Sequence, residues 1–104
     1  MPLELAKVVK TGAGVGLAPG SRFMLIDFSG GEISADADEE YWDFDVHSSA
    51  GRIKGYSVSP NPFIDGKRIG IEYHPDGNKV ADLSFQIRRM GQPISEKWVY
   101  RWAP

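Results

Sequence analysis

Tyr41-Trp42-Asp43-Phe44-Asp45-Val46-His47 alternates apolar and polar residues without a break. Successive side chains of a β-strand point to opposite faces, so an extended chain puts Trp42, Phe44 and Val46 on one side. Tyr41, Asp43, Asp45 and His47 then look the other way. A helix would scatter the same residues around its axis. The heptapeptide therefore predicts a strand with one face buried and one face wet.

The same period of two recurs outward from this segment. Met24, Ile26 and Phe28 alternate in 23–28, and Ile69, Ile71 and Tyr73 in 68–74. Leu83, Phe85 and Ile87 alternate in 82–88, and Trp98, Tyr100 and Trp102 in 97–102. A further strand is expected over 52–58, where apolar parity slips between Ile53 and Tyr56. Gly55 at that slip points to a β-bulge. Lys7–Val9 opens the fold as a short strand, with a helical turn over Leu3–Val8 as the competing reading. The expected core is Met24, Ile26, Phe28, Trp42, Phe44, Val46, Ile53, Ile69, Ile71, Tyr73, Leu83, Phe85, Ile87, Trp98 and Tyr100.

Turn chemistry separates these runs. Pro19-Gly20 suits a type II turn, with proline setting φ and glycine supplying φ > 0. Ser29-Gly30-Gly31 and Ser49-Ala50-Gly51 end the strands before them. Ser59-Pro60-Asn61-Pro62 interrupts the chain, since proline cannot donate to a ladder. Asp65-Gly66 and Pro75-Asp76-Gly77-Asn78 are hairpin-type turns, the second predicted to pair 68–74 with 80–88. With almost no helix expected, residues 1–104 read as one all-β domain, an antiparallel β-sandwich or flattened barrel of about seven strands.

Charge is unevenly placed. Eight of the fourteen acids lie between Asp27 and Asp45, and no base lies among them. The remaining 85 residues hold six acids against twelve bases, so a net charge of -2 conceals a strong internal asymmetry. The total is not basic and no Lys/Arg run occurs, which argues against nucleic acid as a partner. No apolar run nears the ~20 residues that cross a bilayer, so no membrane partner is expected. The absence of cysteine excludes disulfides, thiol catalysis and thiolate metal sites. Met1–Lys7 shows no basic region followed by an apolar stretch, and the expectation from it is a cytoplasmic protein.

Asp36, Asp38, Glu39 and Glu40 sit in a loop, with Tyr41, Asp43, Asp45 and His47 on the strand face beyond it. Calcium takes six to eight oxygens and could find carboxylates here, though the spacing matches no EF-hand loop. Asp43, Asp45 and His47 recur about every 7 Å along one face. Joined by His74, they would make a set able to hold a metal or move protons, provided the two strands are neighbours. The aromatic residues stack well on sugar rings, but most lie at inward parity. Trp102, near the end of the sequence, is either docked on the sheet or offered to a partner. Gly12-Ala13-Gly14-Val15-Gly16 lacks the spacing of a dinucleotide loop and reads as a glycine-softened strand or loop. No serine lies in a nucleophile elbow.

These features favour a non-catalytic binding or assembly module. Its acidic loop would engage a protein partner or a second copy through the basic residues Arg52, Lys54, Lys67, Arg68, Arg88 and Arg89, giving a salt-sensitive homodimer in the second case. The alternatives are a small-ligand binder, with calcium at the loop or carbohydrate on exposed aromatics, and a metalloprotein or enzyme using Asp43, Asp45, His47 and His74. The candidate contact residues are Asp36, Asp38, Glu39, Glu40, Tyr41, Asp43, Asp45, His47 and Trp102.

Overall fold

Alternating patterns become strands in a computed structural model that describes residues 4–104. Eight strands follow in order: β1 (Lys7–Val15), β2 (Arg22–Ser29), β3 (Trp42–Ser48), β4 (Arg52–Asn61), β5 (Gly66–His74), β6 (Ala81–Arg89), β7 (Gln92–Pro93) and β8 (Trp98–Trp102). They form two sheets. Sheet 1 has the order β1-β2-β5-β4. In sheet 2, β3 pairs one edge of β6, while β7 and β8 share its other edge. All these ladders are antiparallel, and the two sheets pack as a sandwich.

The inward faces are the ones the alternation marks. Met24, Ile26, Phe28, Ile69, Ile71 and Tyr73 from sheet 1 meet Trp42, Leu83, Phe85, Ile87 and Trp98 from sheet 2, all buried. Phe44, Val46, Ile53 and Tyr100 pack against this core while partly exposed. Phe85 sits at the centre, with ring centroids 5.7 Å from Phe44, 5.9 Å from Tyr56 and 6.1 Å from Phe28. Ala6, Ile33, Ala81 and Ile94 complete the core from positions that alternation did not nominate, and Trp102 joins it from one that alternation did.

Local signals mostly act where expected. The β4–β5 register slips between Ile53 and Gly55, as the bulge reading requires. Ser21 N–H donates to the Ala18 carbonyl at 3.0 Å, closing the Pro19-Gly20 turn with Gly20 at φ 78°. β1 runs through Val15, well past Val9, and includes most of the glycine-rich stretch. The competing helical turn begins at Leu3, outside the described residues, and the chain from Lys7 onward is strand.

Two expectations change. The turn at 75–78 forms, with Asn78 N–H on the Pro75 carbonyl at 3.0 Å and Asp76 and Gly77 at positive φ. It does not close a hairpin. β5 pairs β2 and β4, whereas β6 pairs β3, β7 and β8. Turn chemistry reverses a chain but does not choose its partners. Both strands carry a largely apolar inner face, interrupted on β5 by the buried Lys67, and both are central, so six connecting residues step between sheets. Second, Pro60 lies within β4, opposite Lys67. β4 is an edge strand, where a missing N–H costs no ladder bond. The eighth strand, β7, has two residues after a Met90-Gly91 turn at positive φ, too short to show a period.

Gly66 marks the tightest approach, because an added Cβ there would run into the Phe28 carbonyl. Gly12 has open space above it. Urea denaturation should therefore show Gly66→Ala destabilised by roughly 3 kcal/mol, against less than about 0.5 kcal/mol for Gly12→Ala. Equal losses would contradict the packing described.

Candidate functional site

The acidic segment meets its bases within one chain. Asp27 lies on the outward side of β2, directly across from Arg68 of β5. Arg68 Nε donates to Oδ1 at 3.0 Å and Nη2 to Oδ2 at 3.1 Å, a bidentate pair. Asn61 Nδ2 adds a bond to Oδ1 at 3.2 Å. The Asp27 side chain is 3% exposed and that of Arg68 42%. The next residue on β5, Lys67, points inward and is almost fully buried. Its ammonium meets Glu39 Oε2 at 3.1 Å and donates to the Ala35 carbonyl at 3.0 Å. Arg89 reaches Glu32 at 3.3 Å, and Arg52 takes Asp76. Four of the six bases proposed to meet another subunit are thus paired at home.

The other sequence-nominated residues stay dispersed. Asp36 accepts from Ser34 Oγ, and Asp38 from the Glu40 N–H, both within the loop. Glu40 is exposed. Tyr41 precedes β3 at φ 66° and is exposed. Asp43, Asp45 and His47 face outward as expected, opposite Arg88, Gln86 and Ser84. His74 belongs to the other sheet, with Nε2 2.6 Å from Glu72 Oε2. The two histidines therefore do not converge, because β3 and β5 lie in different sheets and each projects its histidine outward. Among the described residues, no group of three or more His, Asp or Glu is placed to hold a metal ion. Trp102 is docked, not offered. It is 6% exposed, edge-on to Tyr73 at 5.6 Å and beneath the Arg22 guanidinium.

What the structure assembles instead is a cleft of about 420 Å³ over the Asp27–Arg68 pair, walled by Lys10, Ser59, Asn61 and Phe63. The β4–β5 hairpin builds its rim. Asn61 Oδ1 accepts the Phe63 N–H at 3.2 Å while its amide holds Asp27, so one side chain ties the hairpin tip to the floor. Phe63 projects at 96% exposure. The Arg68 hydrogen bonds hold the Asp27 carboxyl below the usual carboxylate range against the opposing effect of burial, helped by Asn61 and the Lys10 charge. The Lys10 ammonium and Arg68 Nη1 have no partner among the described residues and are available to a ligand.

Sequence reasoning counted Asp27 among the acids but could not pair it, because register is a long-range property. Asn61 lies in the Ser59–Pro62 stretch expected to interrupt the chain, and Phe63 drew no expectation. The available signal was Phe63-Ile64, two apolar residues at a turn where burial is not expected.

Comparison with known proteins adds the context. A family model described as periplasmic glucan biosynthesis protein, MdoG, matches residues 1–102. The chain belongs to the MdoG family. It is 33% identical over 97 residues to glucans biosynthesis protein G 2 of Shewanella oneidensis, covering 93% of this chain and 18% of that protein. It is 29% identical over 107 residues to the probable glucans biosynthesis protein D of the same organism, covering 95% of this chain and 20% of that protein. The chain thus spans about a fifth of the length of these relatives. The family description corrects the cytoplasmic expectation: MdoG proteins are periplasmic. That expectation rested on the absence of a leader in Met1–Lys7, and an absence carries no weight in a chain matching so small a share of its relatives.

Arg68→Met should leave a buried carboxylate unpaired and cost about 2 kcal/mol in urea denaturation at neutral pH, in the lower part of the range for charged hydrogen bonds because the guanidinium is partly exposed. The folded-state value of Asp27 lies below its ordinary 3.8, so its contribution is complete above pH 3.8 and disappears as pH falls through the depressed value. The stability gap between wild type and Asp27→Asn should close over that acid range. A constant gap would contradict the pairing.

Proposed function

We propose that this domain is a non-catalytic glucan-binding module, with the Asp27–Arg68 cleft as its binding surface. The carrying observation is a buried carboxylate with both oxygens bonded, by a half-exposed guanidinium and an amide, beneath an almost fully exposed phenylalanine. A pyranose offers two unlike surfaces. Its axial C–H groups form an apolar face, and its hydroxyls radiate around the rim. Phe63, with Pro60 and Pro62 beside it, provides an apolar plane for the first. Lys10, Ser59 and the free edge of Arg68 provide donors for the second. Small-ligand sites combine an apolar lining with a few fixed polar groups in this way.

The cluster is ordered before any ligand arrives. Arg68 is held by Asp27, and Asn61 bridges floor and rim, so little side-chain freedom is lost on binding. The family and these relatives are glucan biosynthesis proteins, which supports a glucose polymer over other ligands. The acidic loop is a poorer candidate surface, because Lys67 and Arg89 already engage Glu39 and Glu32.

Isothermal titration with linear and cyclic glucose oligosaccharides of each linkage type tests this. At least one series should bind, and Phe63→Ala should weaken it about tenfold, equivalent to about 1.4 kcal/mol. The substitution is at a solvent-exposed position, so the melting temperature should be unchanged. No binding by any series, or binding indifferent to Phe63→Ala, would refute the proposal.

A further inference from the structure

We propose that the second half of β1, Thr11–Val15, is a self-association edge through which two copies of the chain pair antiparallel about a two-fold axis, extending sheet 1 from four strands to eight. An edge strand exposes unpaired N–H and C=O groups, and folded proteins guard such edges with proline, charge, bulges or brevity. The other edges here are guarded. β4 carries Pro60, a bulge and the charges of Arg52 and Lys54. β3 carries Asp43 and Asp45. β7 has two residues, one of them proline, and the five-residue β8 carries Arg101.

β1 is guarded over its first half only. Ala6 exchanges backbone bonds with Ile94 and Glu96, and the Val8 N–H is capped by Glu96 Oε1 at 2.8 Å. Beyond the irregularity between Val8 and Lys10, pairing with β2 is regular through Val15. Thr11-Gly12-Ala13-Gly14-Val15 has no charge, no proline and no bulge, and its outer edge pairs with nothing among the described residues. A cleft that takes Val8 and Thr11 from β1 and Lys97, Trp98 and Tyr100 from the β8 side opens at the start of this segment, and a Cβ added at Gly12 or Gly14 would meet only open space.

The composition of the segment selects a second copy as the occupant. Antiparallel pairing centred on Ala13 sets Gly12 against Gly14 of the second copy, and Thr11 against its Val15. No side chains collide at the glycine positions. The two Lys10 residues then lie about 20 Å apart at 3.3 Å per residue, well beyond the screening length. Val15, 82% exposed in the single chain, gains a cross-strand neighbour. This contact is uncharged, unlike a dimer built on the acidic loop.

Sedimentation velocity over a concentration series at low and high salt tests the inference. The wild type should reach twice the chain mass, at concentrations that do not rise with salt. Ala13→Lys, at an exposed position, should remain a monomer with an unchanged β-type circular dichroism spectrum. Amides of Thr11–Val15 in the wild type should lose hydrogen-exchange protection on dilution. A monomer at every concentration, a dimer that dissociates in high salt, or a dimer that survives Ala13→Lys would each overturn the proposal.

Discussion

Two adjacent bases on β5, an inner strand of sheet 1, hold the two ion pairs of the described residues in which one partner is almost fully buried. Lys67 and Arg68 are neighbours on β5, so strand geometry sends them to opposite faces. Each takes one acid from the segment between Asp27 and Asp45. Lys67 draws Glu39 and the Ala35 carbonyl inward, which fastens the loop connecting sheet 1 to sheet 2. Arg68 takes Asp27 on the outer face. An unpaired ion at either place would carry a desolvation penalty that its partner now offsets. A concentration of negative charge that would otherwise repel itself is thereby tied into one domain.

The cleft follows from that arrangement. A carboxylate sunk into the outer face of a sheet is unusual, because outward residues ordinarily meet water. Here the β4–β5 hairpin folds over it, Asn61 locks hairpin to floor, and Phe63 is left at the rim. Asp27 is held ionised with both oxygens engaged, which suits it to orient Arg68 and makes it a poor proton donor at neutral pH.

Much of the architecture was legible in the sequence, because burial on one face writes itself as a period of two. The strands, their faces, the bulge near Gly55 and most core positions could all be read from local pattern. Partnership could not. The turn at 75–78 carries hairpin residues yet joins two sheets, since β5 and β6 each need two neighbours. His47 and His74 both face outward, but from different sheets. Trp102 alternates inward like Trp98 and Tyr100, and of the two readings its place near the end of the sequence left open, docking is the one that holds. Asp27 has the parity of a surface acid, and only register reveals that Arg68 and Asn61 close over it. The compartment was misread because a leader's absence was taken as information.

The most direct test of the central claim is an NMR titration that follows backbone amides and the Arg68 Nε–H while glucose oligosaccharides are added. The account predicts that shifts concentrate on Lys10, Ser59, Asn61, Phe63 and the Arg68 side chain. Shifts centred on Asp36–Asp45 or on the outer face of sheet 2, with Arg68 Nε–H unmoved, would contradict it.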